Sequence, residues 1–92
     1  MGGGVSAPKE LFAPSPDYSE EARKAKYQGT VVLWITIDSG GAVTDCRVVK
    51  PLGMGLDEKA IESVRTWKFK PAMRNGTAVP VRVMVEVSFR LF

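Results

Sequence analysis

Apolar and polar residues alternate in the first half of the chain, and this pattern predicts a β-hairpin. Within residues 30–38 every second residue is apolar and most of the residues are β-branched, which is typical of a strand. Ser39-Gly40-Gly41 can form a tight turn, and residues 42–50 alternate again, with Cys46 and Val48 on the apolar side. Two alternating segments joined by a short glycine turn favour an antiparallel hairpin.

A longer alternation covers residues 79–92 and predicts the final strand. Its odd-numbered residues from Val81 to Leu91 are apolar, and a period of two places them together on a buried face. The even-numbered residues then face outward, where they can contact a partner. These outward residues are Arg82, Met84, Glu86, Ser88 and Arg90.

Two segments have the pattern of helices. Ser19 can cap a short helix over residues 19–26, in which acidic residues precede basic ones. Residues 56–67 repeat apolar side chains at helical spacing, with Asp57 near the start and Pro71 after the end. The order is therefore α-β-β-α-β, and it predicts an α+β domain in which two helices pack on a three-stranded antiparallel sheet.

The N-terminal residues have a different composition. Residues 1–17 contain three prolines and three glycines and predict an extended lead-in. The first seven residues resemble a cloning remnant more than a native terminus, so the domain proper is expected at residues 18–92. No apolar run approaches the roughly 20 residues that span a bilayer.

The residue types leave little catalytic chemistry. The chain has no histidine and a single cysteine, so the commonest general base and metal ligand are missing. We predict no catalytic residues, no metal and no cofactor, and hence no enzyme. Cys46 and Trp67 are predicted to be core residues, whereas Trp34 either covers the open face of the sheet or marks an interface.

The net charge of +3 arises entirely after residue 28. Five basic residues occur without an acidic one between residues 63 and 85. They suit either a basic patch for nucleic acid or another anionic polymer, or a solvated helix end and turn; the second reading is preferred and nucleic acid is not the expected partner. These residues are Arg65, Lys68, Lys70, Arg74 and Arg82.

The order of short motifs from Tyr18 onward resembles the TonB C-terminal domain family, over about 80% of the chain. The family has a Glu-Glu-Ala-Arg helix, a Gly-x-Val strand start, and a Gly turn before a Val-rich second strand. A Leu-Asp helix that ends in Trp-x-Phe-x-Pro-Ala follows, and a long strand comes last. The corresponding residues here are Glu20–Arg23, Gly29–Val31, Gly41–Val43, Leu56–Ala60, Trp67–Ala72 and Val83–Phe89.

This resemblance implies the periplasmic domain of a protein anchored in the inner membrane, acting in energy transduction for transport such as siderophore or nutrient uptake. Its partners would be TonB-dependent outer-membrane receptors, whose TonB box adds as a strand beside the final strand at the sheet edge. A motor of the ExbB–ExbD type would drive it through a membrane helix. The family's Tyr-Pro near the receptor contact corresponds to Tyr18-Ser19, with Pro16 two residues earlier.

A free edge strand can also pair with a second copy of the chain. A homodimer formed by strand exchange is therefore an alternative to receptor binding, as is the basic patch for an anionic polymer.

Overall fold

The structure is a computed structural model that describes residues 4–91. The prediction that the first residues are non-native falls partly on residues 1–3, which lie outside the described residues. Along the chain the elements are β1 (Val5–Ser6), β2 (Lys9–Phe12), α1 (Glu20–Lys24), β3 (Gly29–Ile37), β4 (Val43–Lys50), α2 (Leu56–Val64), β5 (Lys68–Lys70), β6 (Ala72–Arg74), β7 (Thr77–Val79) and β8 (Val81–Phe89).

The three long strands form one antiparallel sheet in the order β4-β3-β8. β3 lies in the centre and pairs with β8 in nine consecutive residue pairs, from Gly29 opposite Phe89 to Ile37 opposite Val81. The predicted α+β fold with two helices and an antiparallel sheet is thus confirmed. Within the described residues β8 pairs with β3 alone and forms one edge of this sheet.

The prediction of a single three-stranded sheet is incomplete, because five short strands form two further sheets. The segment predicted as one strand over residues 79–92 divides at Pro80, which has no N–H group to continue a ladder. Before it, β6 and β7 pair as a hairpin around Asn75-Gly76, where both residues have positive φ. Such φ values are typical of the tight turns that join paired strands.

The lead-in pairs with the segment that follows α2. β1 pairs with β6, and β2 pairs with β5, both antiparallel. On its other side β5 contacts the β3–β4 turn, where the Phe69 N–H donates to the Gly41 carbonyl oxygen at 2.9 Å. The molecule is consequently elongated, with extents of 49 × 21 × 20 Å.

Both helices pack on the same side of the β4-β3-β8 sheet and share one apolar core. The apolar odd-numbered residues of β3, from Val31 to Ile37, are fully buried there, and Trp67 is buried as predicted. α2 ends at Val64 instead of Trp67, so Trp67 enters the core from the segment after the helix. The core residues are Ala22, Val31, Leu33, Ile35, Ile37, Leu56, Ala60, Val64, Trp67, Phe69, Val87 and Phe89.

The helix caps show how the two helices are fixed. Ser19 Oγ accepts from the Ala22 N–H at 3.1 Å, as predicted, and also donates to the Met54 carbonyl oxygen at 2.6 Å. α1 is thereby tied to the loop before α2. Asp57 does not cap its own helix; its carboxylate accepts from the N–H groups of Leu52 and Gly53. Neither helix within residues 4–91 is long and apolar enough to cross a bilayer.

Candidate partner-binding edge

β8 presents an uninterrupted backbone edge. Its nine pairs with β3 contain no register shift, so its far side offers a regular row of N–H and C=O groups for an added strand. β4 forms the opposite edge of the same sheet but is interrupted by register shifts near each end. Bulges of this kind twist an edge away from further pairing.

The direction of the β8 backbone groups follows from alternation. On β3 the pairing toward β4 continues at Asp38, whose N–H donates to the Ala42 carbonyl oxygen, and beyond β8 the Leu91 N–H donates to Gln28 Oε1 on the β3 side. Since these groups alternate in direction along a strand, odd-numbered residues of β8 bond to β3. The even-numbered residues direct their N–H and C=O groups to the free edge.

The side chains predicted to face outward do so. Every even-numbered residue of β8 is exposed, whereas Val87 and Phe89 are buried and the other odd-numbered valines are half-buried. Arg90 lies just beyond the strand and is also exposed. The period of two in the sequence therefore predicts the exposure of these residues correctly.

Trp34 lies on this outer face beside Met84. The two residues are directly opposite each other across β3 and β8, and Arg47 of β4 is opposite Trp34 on its other side. Trp34 is 38% exposed and Met84 is 50% exposed. The sequence left open whether Trp34 covers the sheet or marks an interface, and the structure places it in an apolar row that reaches the free edge.

Pro16 and Tyr18 lie away from the outer face. Pro16 is half-buried and lines a groove against α2 together with Lys59 and Glu62. The Tyr18 ring packs edge-on against Phe89 at a centroid distance of 5.6 Å, and its hydroxyl donates to the Tyr27 carbonyl oxygen at 2.7 Å. Tyr18 thus supports the C-terminal end of β8 from the core side, while Pro16 belongs to a separate surface.

Pro14 has a role that the sequence did not indicate. Its carbonyl oxygen accepts from Ser63 Oγ at 2.8 Å and from Trp67 Nε1 at 3.1 Å. This double hydrogen bond fixes the lead-in to the end of α2. Spacing gives no signal for it, since the partners are separated by 49 and 53 residues in sequence.

The five basic residues are distributed over several elements. Arg65 follows α2, the two lysines lie on β5, Arg74 ends β6, and Arg82 lies on the outer face of β8. Arg65 lines a cavity of about 290 Å³ with Cys46 and Asp45. Burial raises the pKa of the Cys46 thiol above its ordinary value, and the nearby Arg65 guanidinium opposes part of that rise.

Acidic, histidine and cysteine side chains form no cluster within residues 4–91 that could hold a metal ion. The chemistry available at the edge is thus backbone hydrogen bonding, with two charged side chains and an apolar row to discriminate between added strands. This is the chemistry of a peptide-binding surface.

Comparison with known proteins gives consistent relationships. The family described as Gram-negative bacterial TonB protein C-terminal matches residues 14–91. Protein TonB of Xanthomonas campestris pv. campestris is 38% identical over 77 residues, which are 83% of this chain and 34% of that protein. Protein tonB2 of Pseudomonas aeruginosa is 33% identical over 82 residues, which are 88% of this chain and 30% of that protein. The chain thus spans about a third of the length of these relatives.

The fold has a counterpart among solved structures. The solution NMR structure of the Pseudomonas aeruginosa TonB CTD aligns with a TM-score of 0.74 at 24% sequence identity, and the alignment covers 91% of this chain and 86% of that one. The similarity shows that the two share the same α+β fold.

Proposed function

Because the chain belongs to the TonB C-terminal domain family, we propose that it is the adaptor domain of a TonB-like energy transducer and binds a segment of an outer-membrane transporter along β8. Domains of this family are non-enzymatic transducer and binding domains, so the chain is not an enzyme. The bound segment would be extended and would add as a fourth strand to the β4-β3-β8 sheet.

The uninterrupted edge of β8 is the observation that carries this proposal. Backbone groups supply the hydrogen bonds in strand addition, so one edge can accept segments of different sequence. An adaptor that serves several transporters needs such tolerance. A row of interstrand bonds loaded along the strand axis would also share the load, which suits transmission of force.

The parent protein would be anchored in the inner membrane, with this domain in the periplasm and a proton-driven motor complex acting on the anchor. This part of the proposal rests on the named relatives, which extend well beyond the matched segment. We place the adaptor domain at residues 18–92, and residues 1–17 would connect it to the preceding chain.

The test is a titration of isotope-labelled protein with a peptide that copies the plug-proximal segment of a TonB-dependent transporter. We expect amide shifts in the even-numbered residues of β8, because their N–H groups face the free edge. The amides of β4 provide an internal control, since β4 is also an edge but carries bulges.

A response confined to β4, or to the groove at Pro16, with β8 unchanged would contradict binding at this edge. A scrambled peptide of equal composition distinguishes strand addition, which tolerates many sequences, from recognition of one sequence. Saturable shifts in β8 with both peptides would indicate that backbone pairing dominates.

A further inference from the structure

The basic residues of the segment 68–74 face no acidic residue in the lead-in. The segment contains three basic residues and no acidic one, and all three are exposed. Each is directly opposite a residue of β1 or β2 that cannot neutralise it. The facing pairs are Lys68–Phe12, Lys70–Lys9 and Arg74–Val5. Among residues 4–91 none of the basic residues in these pairs takes part in an ion pair.

β2 is poorly matched to β5. Lys9 and Lys70 are like charges in directly facing positions, which destabilises a strand pair. The register shifts between Glu10 and Phe12, and all four side chains of β2 are exposed. Pro8, which separates β1 from β2, has no N–H group with which to continue a ladder. The lead-in strands are therefore attached mainly by backbone hydrogen bonds.

β5 is held firmly on its opposite side. The Phe69 side chain is buried in the core, and the backbone N–H of the same residue donates to the Gly41 carbonyl oxygen at 2.9 Å. Lys68 also forms a bridge with Ala42. The two hydrogen bonds to the Pro14 carbonyl oxygen hold the chain just beyond β2. If β2 separated from β5, both β5 and the end of α2 would therefore keep their places, and the edge of β5 would be free.

The freed edge would suit an extended acidic segment. Exposed strand edges accept extended segments through backbone hydrogen bonds, and opposite charges in facing positions stabilise the pair. In a segment that follows the register of the lead-in, the residues that face Arg74 and Lys70 are four apart, which is the separation of the corresponding lead-in residues. The residues that face Lys70 and Lys68 are two apart in a strand without the register shift. The matching segment thus has the pattern acid-x-x-x-acid-x-acid.

From these observations we infer that β5 and β6 form a second strand-accepting surface, at which an extended acidic segment of a partner protein displaces β1 and β2. The partner strand would gain opposite-charge pairs at positions where the lead-in has none. The inference goes beyond the proposed function and uses a different surface, since β8 belongs to another sheet. The lead-in would then be a displaceable strand that covers the surface until such a segment binds.

A titration of the isotope-labelled full chain with the peptide Glu-Thr-Val-Thr-Glu-Val-Glu tests the inference, at low salt and up to a peptide concentration of about 1 mM. This peptide has acidic residues at the required positions and β-branched residues between them. We expect saturable binding in which the amides of residues 5–12 lose the shifts typical of a strand, whereas the amides of β5 change but stay paired. The peptide Gln-Thr-Val-Thr-Gln-Val-Gln keeps the length and removes the charges, so it should bind about tenfold more weakly.

Lys70→Glu tests the charge pairing. It replaces the central cation and places a carboxylate opposite Lys9, so the acidic peptide should bind at least about tenfold more weakly. Lys24→Glu is the matched control, because it makes the same change of charge at an exposed residue of α1. With this variant the dissociation constant should stay within about twofold.

Leu11→Pro combined with Phe12→Pro tests displacement separately from charge. The double variant removes two successive N–H groups from β2 and leaves every charge in place, so it weakens the internal strand. Because less strand pairing has to be broken, the acidic peptide should bind about fivefold more tightly. A surface that bound the peptide without displacing β2 would show no change.

Three results of the titration would each overturn the inference: no binding, binding that leaves residues 5–12 paired, or equal weakening by Lys70→Glu and Lys24→Glu. An unchanged affinity of the double proline variant would do so as well. The proposed function fails by a different measurement, which is the response of the β8 amides to a transporter peptide. A response of β8 without displacement of residues 5–12 therefore supports transporter binding alone, and the converse supports the second surface alone.

Discussion

Among the glycines of residues 4–91, Gly41 leaves the least room for a side chain. It has a φ of +88°, and a Cβ atom placed on it would lie 1.9 Å from the Phe69 carbonyl oxygen. The close approach lets the Phe69 N–H reach the Gly41 carbonyl oxygen. One glycine thus connects the main sheet to β5.

Gly41→Ala should therefore lower the free energy of unfolding by about 2–4 kcal/mol, because it combines a left-handed backbone with a steric clash. Gly53→Ala is the control, since Gly53 has nearly the same φ, +89°, but nothing within 4 Å of an added Cβ. It should cost about 1–2 kcal/mol from the backbone alone. Urea unfolding of the two variants measures both values, and equal losses would show that the contact with Phe69 is unimportant.

At the scale of the elements, the long strands and helices could be predicted because each repeats its pattern over many residues. β3, β4 and α2 were placed within a few residues of their observed ends, and the outward face of β8 followed from its period. Local pattern decides these features, since the buried face must be continuous along the element.

The short strands could not be predicted for the same reason. β5, β6 and β7 have three residues each, which is too few to show a period. In the sequence Pro71 indicates only the end of a helix. β5 and β6 pair with lead-in strands that are more than 50 residues away in sequence. The sequence also could not predict that Trp34 and Met84 are neighbours, because no tight turn sets the register between β3 and β8.

Proline substitutions test the alternation of backbone groups along β8. Met84→Pro should leave the fold intact, because it removes an N–H that faces the free edge, and it should weaken the proposed binding of a peptide at that edge. Val85→Pro should unfold the chain, because it removes an N–H that bonds to β3 opposite Leu33. Far-ultraviolet circular dichroism distinguishes the two outcomes, and an unfolded Met84→Pro variant would show that the assigned direction of these groups is wrong.

At the scale of the whole molecule, the lead-in is attached in two different ways. All side chains of β2 are exposed, including Leu11 at 70% and Phe12 at 54%, so β1 and β2 are held mainly by backbone hydrogen bonds. Pro14, in contrast, accepts two hydrogen bonds from the end of α2.

Removal of residues 1–12 should therefore lower the free energy of unfolding by less than about 1 kcal/mol, since each backbone bond has a small net value offset by the entropy of ordering the strand. Removal of residues 1–14 should cost about 1–3 kcal/mol more, because Trp67 Nε1 and Ser63 Oγ lose their shared acceptor. Urea unfolding of the two truncated chains measures the difference. Equal stabilities would exclude Pro14 as the point of attachment.

Because β1 and β2 are weakly attached, the folded domain has two possible starting points along the chain. While these strands stay paired, whatever lies N-terminal to them begins beside the β6–β7 hairpin. If they separate from β6 and β5, the first attached residue is Pro14. The released residues 5–12 then lengthen the free N-terminal segment by up to roughly 26 Å. We therefore expect a modest pulling force to detach β1 and β2, and so to shift the start of the folded domain, before the core is disturbed.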